Sequence, residues 1–258
     1  RSLRLARGVY GQRQFGVQMI RIKLPYGKVT SDQLHCIADV SDEYSRGRLH
    51  ITTRQDIQIH YVSLDRTPEL WAQLEKSDIT LREACGNAVR NVTASETAGI
   101  DPKEPFDVSP YADAVFKFFL RNPICQEMGR KFKVSFSSSN EDTGLSYMHD
   151  LGFIAKTENG VRGFKVMLGG GLGSQPRHAD ELYCFLPSDK IIPVMEGVLR
   201  IFDRHGERRS RAKARIKFLI KDIGFDAFIK LVEDEHKALS VTSFPINTTG
   251  FNNIIDIS

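Results

Sequence analysis

A two-part α+β fold is what this sequence predicts, and three observations predict it. Strand-like and helix-like patterns alternate through the first 75 or so residues. Residues 96–110 then gather three of the ten prolines and four carboxylates, the composition of a loop or a crossing between lobes. Beyond that crossing the alternation restarts and runs on to a final amphipathic helical stretch.

The elements follow in order. Val17, Met19, Ile20, Ile22 and Leu24 form a strand pattern over 16–25 that Pro25-Tyr26-Gly27 stops. Thr30-Ser31-Asp32 then caps a helix whose stripe is Leu34, Ile37, Ala38, Val40 and Tyr44, ending at Arg46-Gly47. A second strand spans 49–62, with Leu49, Ile51, Ile57 and Ile59 at alternate positions and an interruption at Thr53 to Gln55. Leu70, Trp71 and Leu74 mark a second helix over 68–75. Strand, helix, strand, helix fits a compact ferredoxin-like α+β unit. After the crossing, 112–120 reads as a helix and 132–137, 151–156 and 161–168 as strands, the last running into Gly169-Gly170-Gly171-Leu172-Gly173. Residues 187–202 and 211–234 are the strongest helical patterns. Past His236 periodicity fades, and Asn252-Asn253-Ile254-Ile255 closes on an apolar phrase.

Composition narrows the classes. With 258 residues, 41% hydrophobic and 26% charged, the chain has the makeup of a globular protein that buries a substantial core. A net charge of +4 gives no global field suited to generic nucleic-acid binding, so local clusters must carry the chemistry. No apolar run approaches the roughly 18 to 20 residues of a membrane span, and residues 1–7 lack a signal-peptide core, which makes the cytoplasm the expected location. Cys36, Cys85, Cys125 and Cys184 lie 49, 40 and 59 positions apart, which is neither a metal-ligand spacing nor a disulfide framework. The histidines show no ligand spacing either, so no metal site is expected.

Arg54 is the most informative residue, because it stands inside a strand pattern where a half-buried guanidinium requires an acceptor such as a carboxylate or a phosphate. Asp42 or Asp56 could fill that role structurally. Arg90 occupies the apolar phrase 87–92 in the same manner. Lys131 and Lys133 share one strand face, with Phe132 on the other, and two ammonium groups on one face repel unless an anion lies between them. A lysine-guarded edge strand is the structural alternative. The Gly169–Gly173 loop lacks the spacing of a P-loop or a dinucleotide fingerprint, so it either admits a flat ligand close to backbone or makes a turn. Arg208, Arg209, Arg211, Lys213, Arg215 and Lys217 form a basic run that reads as a solvated face or as a docking patch for an acidic partner.

The phrases Arg7-Gly8-Val9-Tyr10-Gly11-Gln12-Arg13-Gln14, 19–27, Thr52-Thr53-Arg54-Gln55, Arg90-Asn91-Val92, Arg130-Lys131-Phe132-Lys133 and Gly169-Gly170-Gly171-Leu172, with the helix over 211–233, stand together in an order that resembles one family. It is the N-terminal half of the sulfite and nitrite reductases that carry sirohaem coupled to a 4Fe-4S cluster. The resemblance implies a ferredoxin-like half-domain over 1–78, a sirohaem-binding reductase α+β domain over 79–238, and a linker over 239–258 leading to a C-terminal half. It assigns Arg54, Lys131, Lys133 and, less distinctively, Arg121 to catalysis. It assigns Arg54, Arg90, Asn91, Arg130, Lys131, Lys133, Gly170 and Gly171 to contact with sirohaem. The implied reaction reduces a small oxyanion, sulfite or nitrite, with electrons from a ferredoxin or a flavoprotein. The family's cluster cysteines form two close pairs in its C-terminal half, and this chain has none. The chain is therefore expected to be the N-terminal portion of a longer reductase that binds no cofactor by itself. No membrane or nucleic-acid partner is expected. A non-catalytic module binding RNA or another polyanion through the same cations is the competing reading.

Overall fold

The computed structural model describes residues 2–249. Its elements are α1 (Ser2–Ala6), β1 (Val9–Gly11), β2 (Val17–Ile22), α2 (Ser31–Tyr44), β3 (Leu49–Ile51), β4 (Ile57–Ser63), α3 (Thr67–Glu75), β5 (Thr93–Ala94), α4 (Ser109–Phe119), β6 (Val134–Ser137), β7 (Leu151–Glu158), β8 (Val161–Leu168), β9 (Asp180–Pro187), α5 (Ile191–His205), α6 (Ile216–Ile223) and α7 (Phe225–Ala238). Among these residues no helix is long and apolar enough to cross a membrane.

Two sheets organise the chain. The first has the order β1-β2-β4-β3, antiparallel throughout, with α2 and α3 supplying the apolar residues that cover it. Helix α2 starts at a reciprocal cap: the Thr30 hydroxyl accepts from Gln33 N, and the Gln33 side chain accepts from Thr30 N. Ile37, Val40, Ser41 and Tyr44 then bury one face, three and four residues apart, against Ile20, Ile22 and Ile59. Leu34, expected in that stripe, is exposed.

The second sheet runs β5-β6-β7-β8-β9, parallel from β5 to β7 and antiparallel from β7 to β9. Phe132, Phe136, Phe153 and Phe164 point into a core shared with Phe119 of α4, Phe202 of α5 and Phe228 of α7, all fully buried. Each such ring contributes roughly 1.5–3 kcal/mol of burial free energy.

Four expectations change. The strand expected over 49–62 is a hairpin. Thr52 Oγ1 accepts from both Arg54 N and Asp56 N at 3.2 Å, Gln55 adopts a left-handed φ of 56°, and β3 returns alongside β4. The helix expected over 211–234 begins at Ile216 and breaks at Gly224, whose φ of 88° ends α6 and begins α7. Strand β9 had no predicted counterpart, because its inward leucines, Leu182 and Leu186, are separated by irregular pairing with β8. Within 239–249, expected as a linker, Phe244 and Ile246 pack on the larger core, and Phe244 N donates to Asp189 O at 2.7 Å. Residues 250–258, with the apolar phrase 252–255, lie outside the described residues.

Candidate functional site

The hairpin tip of the first sheet reaches into the second. Gln55 pairs its side-chain amide with the backbone of β5, donating from Nε2 to Ala94 O at 2.7 Å and accepting from Ala94 N at 3.1 Å. Asn91, 1% exposed, closes the same seam by donating to Leu24 O at 2.6 Å and Arg54 O at 3.0 Å. These bonds deliver Arg54 from one lobe to the N-terminal ends of the parallel strands β5 and β6. There its guanidinium donates to Asn91 O, to Val134 O at 3.3 Å and to His149 Nε2.

Arg54 thus needs no carboxylate partner to be held. Among the described residues, neutral acceptors hold it, and its Nε stays buried without a hydrogen-bond partner. Burial pulls its pKa down to about 10, opposed by Asp56 and Asp150. His149 Nδ1 lies 2.7 Å from Leu145 O, and a carbonyl only accepts, so Nδ1 carries the proton and Nε2 accepts from Arg54. Burial first, then Arg54, pushes this imidazole down to about 3, which keeps it neutral.

Between the lobes lies a cleft of about 950 Å³ whose walls carry eight basic side chains and two carboxylates. Arg90, Arg121, Arg130 and Lys131 stand on that wall, as do Arg21 and Arg211. Arg90 is anchored through Nε to Gly86 O at 3.1 Å and through NH1 to Ala84 O at 2.9 Å. Arg121, with a left-handed φ of 62°, is fixed through its backbone N–H, which donates to Glu83 Oε1 at 2.8 Å. Phe132 is sunk in the core, and the lysines either side of it face the other way, half-buried, as the alternation requires.

Arg54 and Lys133 are not wall residues, yet both belong to the same field. Burial pulls Lys133 down to about 8, aided by Arg54 and Arg215. Burial likewise pulls Lys131 down to about 8, aided by Lys133, Arg90 and Arg130. Lys133 thus feels Arg54, and Arg90 is felt by both lysines. Arg130 has a buried Nε without a partner. Such an assembly can bind an anion, compensate its charge and, through ammonium groups titrating near neutrality, deliver protons to it.

The glycine loop is placed differently. Lys217 donates to Gly171 O and Leu172 O at 3.3 Å, and Arg177 donates to Gly169 O at 2.9 Å. A Cβ on Gly171 would lie 2.6 Å from an Arg215 nitrogen, and one on Gly170 2.4 Å from Tyr147 O. The glycines thus admit the protein's own cations and backbone, and Gly170 and Gly171 do not line the cleft. Two members of the expected solvated basic run, Arg215 and Lys217, are buried at 9% and 4% exposure. Arg215 donates to Asp150 Oδ1 from Nε at 2.9 Å and from NH2 at 2.8 Å, while Lys133 N donates to Asp150 Oδ2 at 2.9 Å. The pair thus fixes the backbone that carries Lys133.

Arg21, Glu83, His149, Asp150 and Arg215 were missed as site residues. Arg21 was findable: it alternates with Ile20 and Ile22, which face the helices, so its side chain must leave on the opposite face. There its Nε lies 3.0 Å from the Gln58 side-chain oxygen. The Asp150–Arg215 pairing spans 65 residues and carries no local signal.

Comparison with known proteins finds one family across both lobes. Residues 85–239 match the family described as nitrite and sulphite reductase 4Fe-4S domain, and residues 10–77 match the nitrite/sulfite reductase ferredoxin-like half domain. The chain is 31% identical over 220 residues to a Mycolicibacterium paratuberculosis protein named sulfite reductase (ferredoxin) 1, covering 84% of this chain and 39% of that protein. It is 32% identical over 247 residues to the assimilatory ferredoxin-dependent nitrite reductase of Haloferax mediterranei, covering 89% and 42%. The structure of the Mycobacterium tuberculosis NirA protein superposes with a TM-score of 0.84 at 28% identity, covering 93% of this chain and 47% of that one. The chain thus spans about two fifths of the length of the curated relatives it matches.

Proposed function

Since the chain belongs to the nitrite and sulphite reductase family, we propose that it supplies the cationic part of an oxyanion-reducing site, sulfite or nitrite being the substrate. One observation carries this reading: Arg54, Arg90, Lys131 and Lys133, drawn from separate segments, share one field beside a cleft lined by further arginines. Under this reading Lys131, Lys133, Arg54 and Arg121 act on the oxyanion, joined by Arg21.

The residues fit sirohaem. Its carboxylates require several cations on one wall, and unpartnered buried nitrogens on Arg54 and Arg130 add donors to those of Arg90 and Lys131. When bound, sirohaem would supply the iron that takes electrons to the substrate. Asn91 would act by positioning the Arg54 turn, and Gly170 and Gly171 by admitting Arg215. The residues do not fit the cluster. The four cysteines are free, and no group of three or more His, Cys, Asp or Glu residues able to hold a metal occurs among the described residues. Cluster ligation therefore falls to residues other than these.

The protein's own part is electrostatic. At neutral pH Lys131 and Lys133 are protonated but close to titration, so an approaching oxyanion both gains compensation and raises their pKa. Each can then hand a proton to a substrate oxygen as its bond to sulfur or nitrogen weakens, and recover it from solvent. Arg54 and Arg90, still cationic, hold the charge that remains. A ferredoxin or flavoprotein donor, a C-terminal half of the same polypeptide, a cytoplasmic setting and the inactivity of these 258 residues alone belong to the same proposal.

The test is absorption and turnover of the longer polypeptide produced with sirohaem synthesis intact. The expected result is a Soret-type band and donor-dependent consumption of sulfite or nitrite that Lys131→Met and Lys133→Met suppress. A colourless product, or turnover untouched by both substitutions, overturns the reading.

A further inference from the structure

Asp56 is the residue that the oxyanion reading leaves unused. It follows Arg54 and Gln55 at the hairpin tip and is 2% exposed. Its backbone closes the turn, accepting from Thr52 N at 2.9 Å, and by the β2–β4 register it falls on the sheet face of Arg21 and Lys23, opposite to the core-facing Ile57. One carboxylate oxygen, Oδ1, has no hydrogen-bond partner. A buried carboxylate is expected to be fully paired, so an orphan oxygen beside buried cations calls for a role.

Its surroundings supply one. Arg21 and Lys23 face it from β2 and the residue beyond, Arg54 from its own turn, and the Leu24 N–H donates to it. Its charge is also felt by Arg90 and by the Cys85 thiol of the 84–92 segment. Three of those cations, Arg21, Arg54 and Arg90, are ones that the site uses. None makes a salt bridge with Asp56, so the carboxylate acts on them through the field and leaves their geometry alone.

We propose that Asp56 sets the affinity of the cationic cleft for oxyanions: its buried negative charge offsets the field of Arg21, Arg54 and Arg90, and its protonation releases that field to the anion. The inference rests on the cleft being an oxyanion site. Support comes from the chemistry of the carboxylate itself, which burial pushes up to about 6 against the pull of Arg21, Arg54 and Lys23. Because a carboxylate above its pKa is charged, the offset is complete at neutral pH and disappears as pH falls through about 6.

Sulfate serves as the probe, since it keeps both charges across the range tested. Calorimetric titration of the 258-residue chain at constant ionic strength should give an affinity roughly tenfold higher at about pH 5 than at about pH 7.5, the effect of one charge screened at protein distances. Asp56→Asn should bind sulfate at the higher pH as tightly as the unsubstituted chain binds at the lower, and lose the step near pH 6. Asp56→Glu should keep the step. His60 is present in every variant, so its titration cancels in the comparison. An Asp56→Asn protein with normal affinity, or with the step intact, overturns the proposal while leaving the oxyanion site standing. If Asp56→Asn does not fold, a pH-independent affinity in the unsubstituted chain and in Asp56→Glu overturns it equally. No sulfate binding at either pH, or binding indifferent to Lys131→Met, removes the oxyanion reading and the inference with it.

Discussion

Two clusters of buried charge lie a short way apart in this molecule, and they are built on opposite terms. In the reductase lobe, Asp150 has both oxygens occupied, one by two Arg215 nitrogens and the other by Lys133 N. In the seam between the lobes, Lys23, Asp56 and Glu83 are equally buried, at 3%, 2% and 4% exposure, yet Asp56 Oδ1 and Glu83 Oε2 have no hydrogen-bond partner. The nearest Lys23–Glu83 approach is 4.0 Å. A fully satisfied pair fixes geometry; an undersatisfied trio leaves charge adjustable, and burial has already pulled Lys23 down to about 8 and Asp56 up to about 6.

The contrast breaks first at Asp150. Asp150→Ala strands a buried guanidinium, and the expected cost is about 3–5 kcal/mol in chemical denaturation. A cost near zero would mean that the pair does not fix the lobe. The seam should answer with the opposite sign. The Asp56 carboxyl is raised on folding, so the folded state is penalised once pH climbs from the unfolded value of 3.8 through about 6. Asp56→Asn should therefore stabilise the chain by about 2–3 kcal/mol above pH 6 and by nothing below about pH 4, readable as a pH-dependent difference in Tm.

Gln55→Ala sharpens the comparison from the neutral side. Losing two bonds to Ala94 should cost about 1–2 kcal/mol and loosen the hairpin tip, seen as faster amide exchange at Ala94 than at Phe136. Lys131→Met should weaken sulfate binding about tenfold, and in the unsubstituted chain binding should fall as pH rises past about 8, where both lysines lose charge. The smallest effect belongs to the surface. Arg208 and Asp203 are about half exposed, and Arg208→Ala should move stability by less than about 0.5 kcal/mol.

Much of this was legible in the residues. Alternation located β2, β4, β7 and β8, the cap at Thr30 located α2, and the Lys131-Phe132-Lys133 phrase declared which side chains face the core. What stayed hidden was set by distance or by single dihedrals. A left-handed Gln55 turned one expected strand into a hairpin, and one glycine, Gly224, split a helix whose apolar spacing continues across the break. The basic run over 208–217 shows the deeper limit: charge density suggests solvent, but Arg215 and Lys217 turn inward because Asp150 and the loop carbonyls of 171–172 wait for them. Nothing adjacent in sequence announces those acceptors. Arg54 reads in sequence as a cation in want of an anion, whereas among the described residues backbone carbonyls and a neutral imidazole hold it.

The clasp at the hairpin tip carries a consequence for ancestry and for engineering. Arg54 comes from one lobe, while Asn91, Val134 and His149, which grip it, come from the other. Neither lobe is a portable module: a domain shuffled into another protein would keep its core and leave its guanidinium, or its grip, behind. Recombination can transplant this site only as an undivided block.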